Sequence, residues 1–371
     1  MSPDSTKKRI VIKIGSSSLT SLHGEMSRRK LERLVDEVVR LKDDGHEVLL
    51  VSSGAVAAGY RKLGCLERPS SLPEKQAAAA IGQGLLIEAY SDLFLSHGYV
   101  ASQILITRSD FSDEHRYNNA RNTINVLLER GIIPIVNEND TVTIDRLKFG
   151  DNDTLSAKVS ALVDADQLII LSDIDGLYDS DPRKNPNAKL LDQVEEITED
   201  IEEMAGEPGS SVGTGGMRSK IDAFKITMAS GIPAFLGKSG EANIIYDAVQ
   251  KKAKGTYFES EDDANLNRKK QWIAFNSGPE GDITINDGAK ELVLEQKDSL
   301  QLSDIAAVKG RFKAGSVVRI RAMDNEEIGL GIVNFSAEQL KKPQETIRIE
   351  DVAVVIEHLV CHIEVPIPVG V

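Results

Sequence analysis

Short apolar runs rich in β-branched residues alternate with helix-forming runs along the first two thirds of the chain. The apolar runs are typical of buried strands, and they occupy residues 10–14, 47–51, 101–107, 132–136, 166–171 and 231–237. Between them, amphipathic or alanine-rich segments predict helices over residues 28–43, 74–96 and 116–130. Strands that alternate with helices favour a mainly parallel sheet covered by helices on both faces. The sequence therefore predicts an α/β three-layer sandwich.

The pattern changes after residue 258. Residues 259–280 are highly charged and are expected to connect two domains, while residues 281–371 contain short strand-like runs separated by glycine turns. Such runs are typical of a small barrel or sandwich. We therefore expect an α/β domain over 1–258, a linker over 259–280 and a small β-rich domain over 281–371.

The composition disfavours several functional classes. The 371 residues carry a formal charge of −14, and the segment 281–371 has 10 Lys and Arg against 15 Asp and Glu. Binding to nucleic acid or to an anionic membrane needs a basic field, so both are disfavoured. Cys65 and Cys361 lack the C-x-x-C spacing of redox and zinc motifs, and no apolar run approaches the roughly 18 residues of a membrane helix. We expect a soluble protein of the reducing cytoplasm.

A glycine-rich segment, Gly213–Lys220 with the sequence G-T-G-G-M-R-S-K, precedes a helix-forming run. Clustered glycines are costly inside a helix, but in a loop their N–H groups can approach an anion at a helix N-terminus. Lys220 falls near the end of the first turn, where its ammonium group can reach a phosphoryl group. The spacing is not that of a P-loop, and a plain surface loop before a helix is the alternative.

Small polar turns follow the first two predicted strands. Lys13 lies near the end of the first strand and precedes Gly15–Ser17, while Ser53 and Gly54 follow the second strand. Ligands of open α/β sheets bind at the carboxyl ends of the strands, so these residues are candidates for ligand binding. The alternatives are a Lys13 whose charged end reaches solvent and a Ser53 that only caps a helix.

Two clusters of acids and amides lie further along the chain. Asn137–Asp140 reads N-E-N-D after an apolar strand, and Gly150–Thr154 reads G-D-N-D-T before a helix. Both hold more polar side chains than a helix cap needs, although solvated turns of this composition also occur. Carboxylates and amides suit an ammonium group, hydroxyl groups or a Mg²⁺-phosphate complex, whereas carboxylates repel a bare phosphate. The EF-hand pattern is absent, and direct metal ligands are not assigned.

Six segments occur in the order found in the glutamate 5-kinase family of amino-acid kinases, which the sequence resembles from residue 8 to about 257. These segments are 13–17, 51–55, 137–140, 150–153, 172–173 and 213–220. Each one alone is a weak signal, whereas all six in order are specific. The segment from about 281 resembles the PUA module often joined to this family.

The resemblance implies ATP-dependent phosphorylation of the γ-carboxylate of L-glutamate, which gives L-glutamyl 5-phosphate in the first step of proline biosynthesis. It implies ATP and Mg²⁺ as cofactors, with Mg²⁺ held mainly by the ATP phosphates. It also implies feedback inhibition by proline, a homo-oligomer, and the next enzyme of the proline pathway as a partner. The alternatives are aspartate or N-acetylglutamate as the acceptor, and RNA binding by the C-terminal module.

The resemblance also assigns roles to residues at matching positions. The catalytic set is Lys13, Lys220 and Asp153, in which the lysines stabilise the charge of the phosphoryl group and Asp153 organises the lysines or the substrate. The glutamate-binding set is Ser53, Gly54, Asn137, Asp140, Asp151 and Asn152. The nucleotide-binding set is Lys13, Gly15, Ser16, Ser172, Asp173, Thr214, Gly215, Gly216, Met217, Arg218, Ser219 and Lys220.

Overall fold

The chain divides into two compact units, Met1–Asp262 and Asp263–Val371. The computed structural model describes residues 7–20, 26–143, 152–182, 185–204, 216–259, 266–295, 298–342, 348 and 351–361. Asp151, Thr214 and Gly215 of the predicted site lie outside the described residues. None of the helices within these described ranges combines the length and the apolar character that crossing a bilayer requires.

The first unit is built on an eight-stranded sheet with the order β3-β4-β2-β1-β5-β7-β8-β6. The strands from β3 through β7 pair in parallel, whereas β8 runs antiparallel to β7. The strands are β1 Arg9–Ile14, β2 Glu47–Ser52, β3 Ala101–Ile106, β4 Ile133–Glu138, β5 Gln167–Ser172, β6 Gln193–Val194, β7 Ala234–Lys238 and β8 Thr256–Phe258. All six predicted strands are confirmed. The sequence pattern did not predict β6 and β8, which are short.

Helices cover both faces of this sheet. One layer, formed by α2, α4 and α10, shares an apolar core with β1, β2, β4 and β5, while α6, α7 and α9 contact the sheet from the other layer. The helices are α1 Ser16–Leu19, α2 Arg28–Asp43, α3 Ala55–Gly59, α4 Leu72–Ser96, α5 Arg108–Ser112, α6 Glu114–Glu129, α7 Asn152–Leu162, α8 Glu199–Met204, α9 Met217–Ala229 and α10 Ile244–Val249. The predicted three-layer α/β architecture is confirmed.

The second unit contains a six-stranded sheet with the order β10-β14-β13-β12-β9-β11. Its pairings are antiparallel except for that of β9 with β12. The elements are α11 Arg268–Phe275, β9 Gly281–Ile285, α12 Asp287–Leu294, β10 Leu300–Gln301, a 3₁₀ helix Leu302–Asp304, β11 Ile305–Gly310, β12 Val317–Arg321, β13 Glu327–Val333, α13 Ala337–Lys341 and β14 Val352–Cys361. The predicted β-rich second domain is confirmed.

The segment 259–280, expected to be a linker, contains a helix of the second unit. This helix, α11, buries Trp272 and Ile273 and contacts β13 and β14. The charged residues at its start are followed by a short apolar run that packs against the second unit. The high charge of the segment as a whole led to the prediction of a linker. The domain boundaries at 258 and 281 stay predictions.

Candidate active site

The alternation of side chains along β1 places Lys13 on the face of the sheet that α7 covers. Ile10, Ile12 and Ile14 belong to the core shared with α2 and α4, and successive side chains of a strand point to opposite faces. Lys13 therefore points to the opposite face. It lies one residue before the carboxyl end of a strand flanked by β2 and β5, at the edge where ligands of such sheets bind.

A single buried carboxylate joins the two lysines that the sequence singled out. Lys13 Nζ lies 2.6 Å from Asp153 Oδ1, and Lys220 Nζ lies 2.9 Å from Asp153 Oδ2. Asp153 is fully buried, and only 7% of Lys13 and 5% of Lys220 are exposed. Two ammonium groups and one carboxylate leave a local charge of +1, which suits the approach of an anion.

The protonation state of Asp153 follows from two opposed effects. Burial alone would raise the pKa of its carboxyl group, but the positive charges of Lys13 and Lys220 outweigh burial, and the pKa lies below its usual value. The carboxylate is therefore ionised at neutral pH, and it supplies an oxygen to each lysine.

Two helix N-termini bring these groups together. Asp153 lies in the first turn of α7, where a negative charge is favoured by the helix dipole. Lys220 is the fourth residue of α9, which begins after Gly216 and packs against α7. Ser219 Oγ donates to the backbone oxygen of Gly216 at 2.9 Å and contacts Asp153 Oδ2 at 3.3 Å. The first turn of α9 is thus tied to Asp153 through two consecutive residues.

Next to the lysine pair, a chain of amides links α7 to the ends of β2 and β4. Asn152 Nδ2 donates to the backbone oxygen of Ser52 at 3.0 Å and to Asn137 Oδ1 at 2.9 Å. Asn137 Nδ2 in turn donates to Gln83 Oε1 at 2.9 Å. The sequence reasoning identified Asn137 and Asn152, but it missed Gln83, which lies on α4 in a run dominated by alanine.

The turn after β2 depends on a glycine. Gly54 has φ +103°, a left-handed conformation in which a side chain is strained. The backbone N–H of Ser53 donates to the oxygen of Ile14 at 3.1 Å, so this turn is tied to the end of β1. The backbone oxygen of Gly54 accepts from the N–H of Ala58, and this is the first hydrogen bond of α3.

Gly15 lies two residues after Lys13 and close to its charged end. A Cβ built on Gly15 would lie 3.8 Å from Lys13 Nζ.

Other predicted residues lie at the same edge of the sheet but not in the lysine cluster. Ser172 ends β5, the parallel neighbour of β1, and its Oγ donates to Asp173 Oδ1 at 3.0 Å. Asp140 follows β4 in a partly buried turn. Gly216 and Met217 form the start of α9, and Ser16 starts α1.

Arg218 points away from Asp153. Its guanidinium contacts Glu202 Oε2 at 3.2 Å and Asp222 Oδ1 at 3.4 Å. Arg218 is exposed, and in this arrangement it joins α9 to α8.

The contacts of Asp153 show whether its carboxylate is arranged to bind a metal ion. Both oxygens of Asp153 already contact ammonium groups, which is the arrangement of a lysine clamp rather than of a metal ligand. Within the described ranges, no cluster of three or more His, Cys, Asp or Glu side chains is placed to hold a metal ion.

Comparison with known proteins agrees with this architecture. Residues 8–238 match the model of the amino acid kinase family, and residues 281–355 match that of the PUA domain. The chain is 65% identical over 371 residues to a protein named glutamate 5-kinase 2 from Bacillus subtilis, with both chains covered completely. It is 43% identical to the glutamate 5-kinase of Streptococcus suis, over 94% of this chain and 98% of the relative.

Among solved structures, the carbamate kinase from Giardia lamblia bound to AMP-PNP superposes with a TM-score of 0.51 at 17% identity. The match covers 69% of this chain and 99% of that one. At this identity the likeness concerns the fold. Because the family model spans more than half of the chain and the relatives align over nearly its full length, the chain belongs to the amino acid kinase family, in the group of glutamate 5-kinases that carry a C-terminal PUA domain.

Proposed function

We propose that this protein transfers the γ-phosphoryl group of ATP to the γ-carboxylate of L-glutamate, giving L-glutamyl 5-phosphate and ADP in the first step of proline biosynthesis. The carrying observation is the buried Lys13–Asp153–Lys220 cluster at the carboxyl edge of the sheet. The names of the full-length relatives support glutamate as the acceptor.

On the nucleotide side, the two lysines are the groups suited to a triphosphate. Phosphoryl transfer passes through a state in which negative charge is spread over the equatorial oxygens, so catalysis depends on positioning and on fixed positive charge. Lys13 and Lys220 supply that charge from a nearly water-free position, where electrostatic effects are strong. Gly15, Ser16, Ser172, Asp173 and the 214–220 segment are proposed to hold the rest of the nucleotide.

Asp153 sets the positions of both ammonium groups and remains ionised. It is proposed to organise the lysines and not to accept a proton, because its pKa lies below the usual range. Mg²⁺ prefers oxygen ligands and in kinases is bound largely through substrate phosphates. We therefore propose that Mg²⁺ is held mainly by the ATP phosphates, where it neutralises part of their charge.

On the acceptor side, the amide chain and the Ser53–Gly54 turn are proposed to hold glutamate. Both amide protons of Asn152 have partners in Ser52 and Asn137, which leaves its carbonyl oxygen as the group for an ammonium donor. Asp140 adds a negative charge in the turn after β4 and is proposed to attract the α-ammonium group. Asp151 belongs to the same proposed set.

The reaction needs no general base in this scheme. A carboxylate with an ordinary pKa near 4 is already ionised at neutral pH, so one of its oxygens can attack phosphorus directly. The new bond joins that oxygen to phosphorus, the bond to the ADP oxygen breaks, and ADP leaves with the electron pair. The contribution of the protein is to align the two substrates and to stabilise the charge that develops between them.

The test is an assay of ADP release with glutamate, aspartate and N-acetylglutamate side by side, with hydroxylamine present to trap an acyl phosphate as its hydroxamate. We expect hydroxamate with glutamate at a rate well above that with the other two acids. One methylene is worth about 1–3 kcal/mol in a pocket, so turnover of aspartate at a small fraction of the glutamate rate fits the proposal. Faster turnover of aspartate or N-acetylglutamate would refute it.

Inhibition by proline, homo-oligomer formation, contact with the next enzyme of the pathway and a cytoplasmic location stay predictions of the resemblance. The comparisons do not favour the alternative acceptors or an RNA-binding role as the main function.

A further inference from the structure

Three polar side chains form a row along α4 and face the carboxyl edge of the sheet. Gln76, Gln83 and Tyr90 are spaced by seven residues, which is close to two helical turns and places them on one face. Gln76 Nε2 donates to the backbone oxygen of Thr143 at 3.1 Å, and Tyr90 Oη lies 3.1 Å from Ser52 Oγ. Each member of the row holds a different segment near the proposed acceptor site.

Gln83 is the member that reaches the amides proposed to bind glutamate. The backbone N–H of Glu138 donates to Asn137 Oδ1 at 2.9 Å. Because that N–H can only donate, it fixes the Asn137 oxygen on its own side and turns Nδ2 towards Gln83. Gln83 must then present its oxygen, as it does at 2.9 Å. The reversed amide of Asn137 would place an NH₂ group against two other donors.

The oriented amide of Asn137 in turn contacts Asn152. Asn137 Oδ1 accepts from Asn152 Nδ2, and the backbone oxygen of Ser52 takes the other proton of that group. Asn137 is 4% exposed, so water cannot readily replace a lost partner. Gln83 thus accepts the hydrogen bond of the Asn137 NH₂ group and helps to hold in place the amide that accepts from Asn152.

The helix that carries Gln83 is held close to the turn after β2. A Cβ built on Gly82 would lie 1.8 Å from the backbone oxygen of Ala55, and one built on Gly59 would lie 1.9 Å from that of Ala78. The backbones of α3 and α4 are therefore in direct contact, and α3 starts at the Gly54 turn. This contact fixes the distance between Gln83 and that turn.

From this geometry we infer that Gln83 is a positioning residue for the amino-acid acceptor, acting through Asn137 and Asn152. The inference rests on the proposed function, because it takes these amides as part of the acceptor site. It assigns to Gln83 an effect on glutamate affinity that is separate from any effect on ATP.

The test compares Gln83→Met, which keeps the side-chain length and removes the acceptor, with Glu88→Met on the exposed face of the same helix. Full-length proteins are assayed for KM of glutamate, KM of ATP and kcat, and thermal unfolding checks their folding. In Gln83→Met, the buried NH₂ group of Asn137 loses the acceptor that Gln83 provides. A buried donor that loses its partner lowers binding affinity about 10- to 100-fold, and we expect the KM of glutamate to rise by that factor. The KM of ATP should stay within about twofold, because this hydrogen-bond chain contains none of the residues proposed to bind the nucleotide, and Glu88→Met should match the wild type.

A double-mutant cycle separates positioning from a general loss of structure. If Gln83 acts through Asn137, then Gln83→Met has little further effect on the KM of glutamate in an Asn137→Ala background. Additive effects of the two substitutions, equal increases in both KM values, or an unchanged KM of glutamate would each overturn the inference about Gln83. None of these results would affect the proposed function as long as the wild type phosphorylates glutamate. A wild type that does not phosphorylate glutamate would overturn both.

Discussion

Replacing Asp153 with asparagine tests the electrostatic core of the site. The carboxylate offers one oxygen to each lysine, whereas an amide offers one oxygen and one NH₂ group, so one ammonium group loses its partner and meets a second donor. At an effective dielectric constant of about 20, a pair of unit charges at these separations attracts by roughly 6 kcal/mol before desolvation is subtracted. Breaking a buried pair costs about 3–5 kcal/mol in practice, and we expect that loss in the free energy of unfolding.

The exposed pair Arg28–Glu32 provides the matched control. Its Nε–Oε1 distance of 2.9 Å equals that between Lys220 and Asp153, but the side chains are 80% and 45% exposed. An exposed helical pair of this type contributes only about 0.3–0.5 kcal/mol. Glu32→Gln should therefore have a small effect, although it removes the same charge at the same distance.

The assay is urea unfolding followed by circular dichroism at pH 7.5. The single tryptophan, Trp272, lies in the second unit, so fluorescence alone would not monitor the unit that contains Asp153. With an m-value of about 3 kcal/mol per M, a 3–5 kcal/mol loss lowers the midpoint by roughly 1 M or more. A midpoint for Asp153→Asn that differs from the wild type by no more than that of Glu32→Gln would refute the buried-charge reasoning.

Three further changes separate catalysis, recognition and proton linkage. Lys220→Met should lower kcat about 10²- to 10³-fold with a small change in the KM of glutamate; an ADP-release rate near that of the wild type would remove Lys220 from the mechanism. Asp140→Asn should raise the KM of glutamate about tenfold and leave that of ATP nearly unchanged, as expected for a lost charge-assisted contact; equal changes in both would contradict its role. Burial and the neighbouring charge of Arg108 lower the pKa of Lys158 from 10.5 to about 7, so between these values the unfolded chain binds more protons and stability rises with pH. Lys158→Met should flatten that rise in unfolding experiments from pH 7 to 10, and identical slopes for the two proteins would refute the linkage.

The main sheet could be predicted from the sequence because its central strands are mostly apolar. A parallel strand buried on both faces has a nearly continuous apolar run, and β1, β2 and β5 show such runs, interrupted in β1 by Lys13. By contrast, β6 and β8 have two and three residues. Pairing between them depends on residues more than 60 positions apart, and a local pattern does not carry that information.

The site could be predicted in part for a related reason. Lys13 was identifiable because a charge inside a buried strand requires a partner, and its partner Asp153 stood in a polar cluster at a helix start. Gln83 was not identifiable in this way, because it sits in a helix without a clear polar face and its partner lies 54 residues away. Its spacing from Gln76 and Tyr90 was the only local sign of a shared role.

The shared carboxylate also has a consequence for the protein between catalytic cycles. Without a counter-ion, the two buried ammonium groups would lower the free energy of unfolding, and stability would then depend on binding of the proposed nucleotide ligand. Asp153 supplies this counter-ion from within the chain. The fold of this unit is therefore expected to be equally secure before the proposed ATP binds and after ADP leaves.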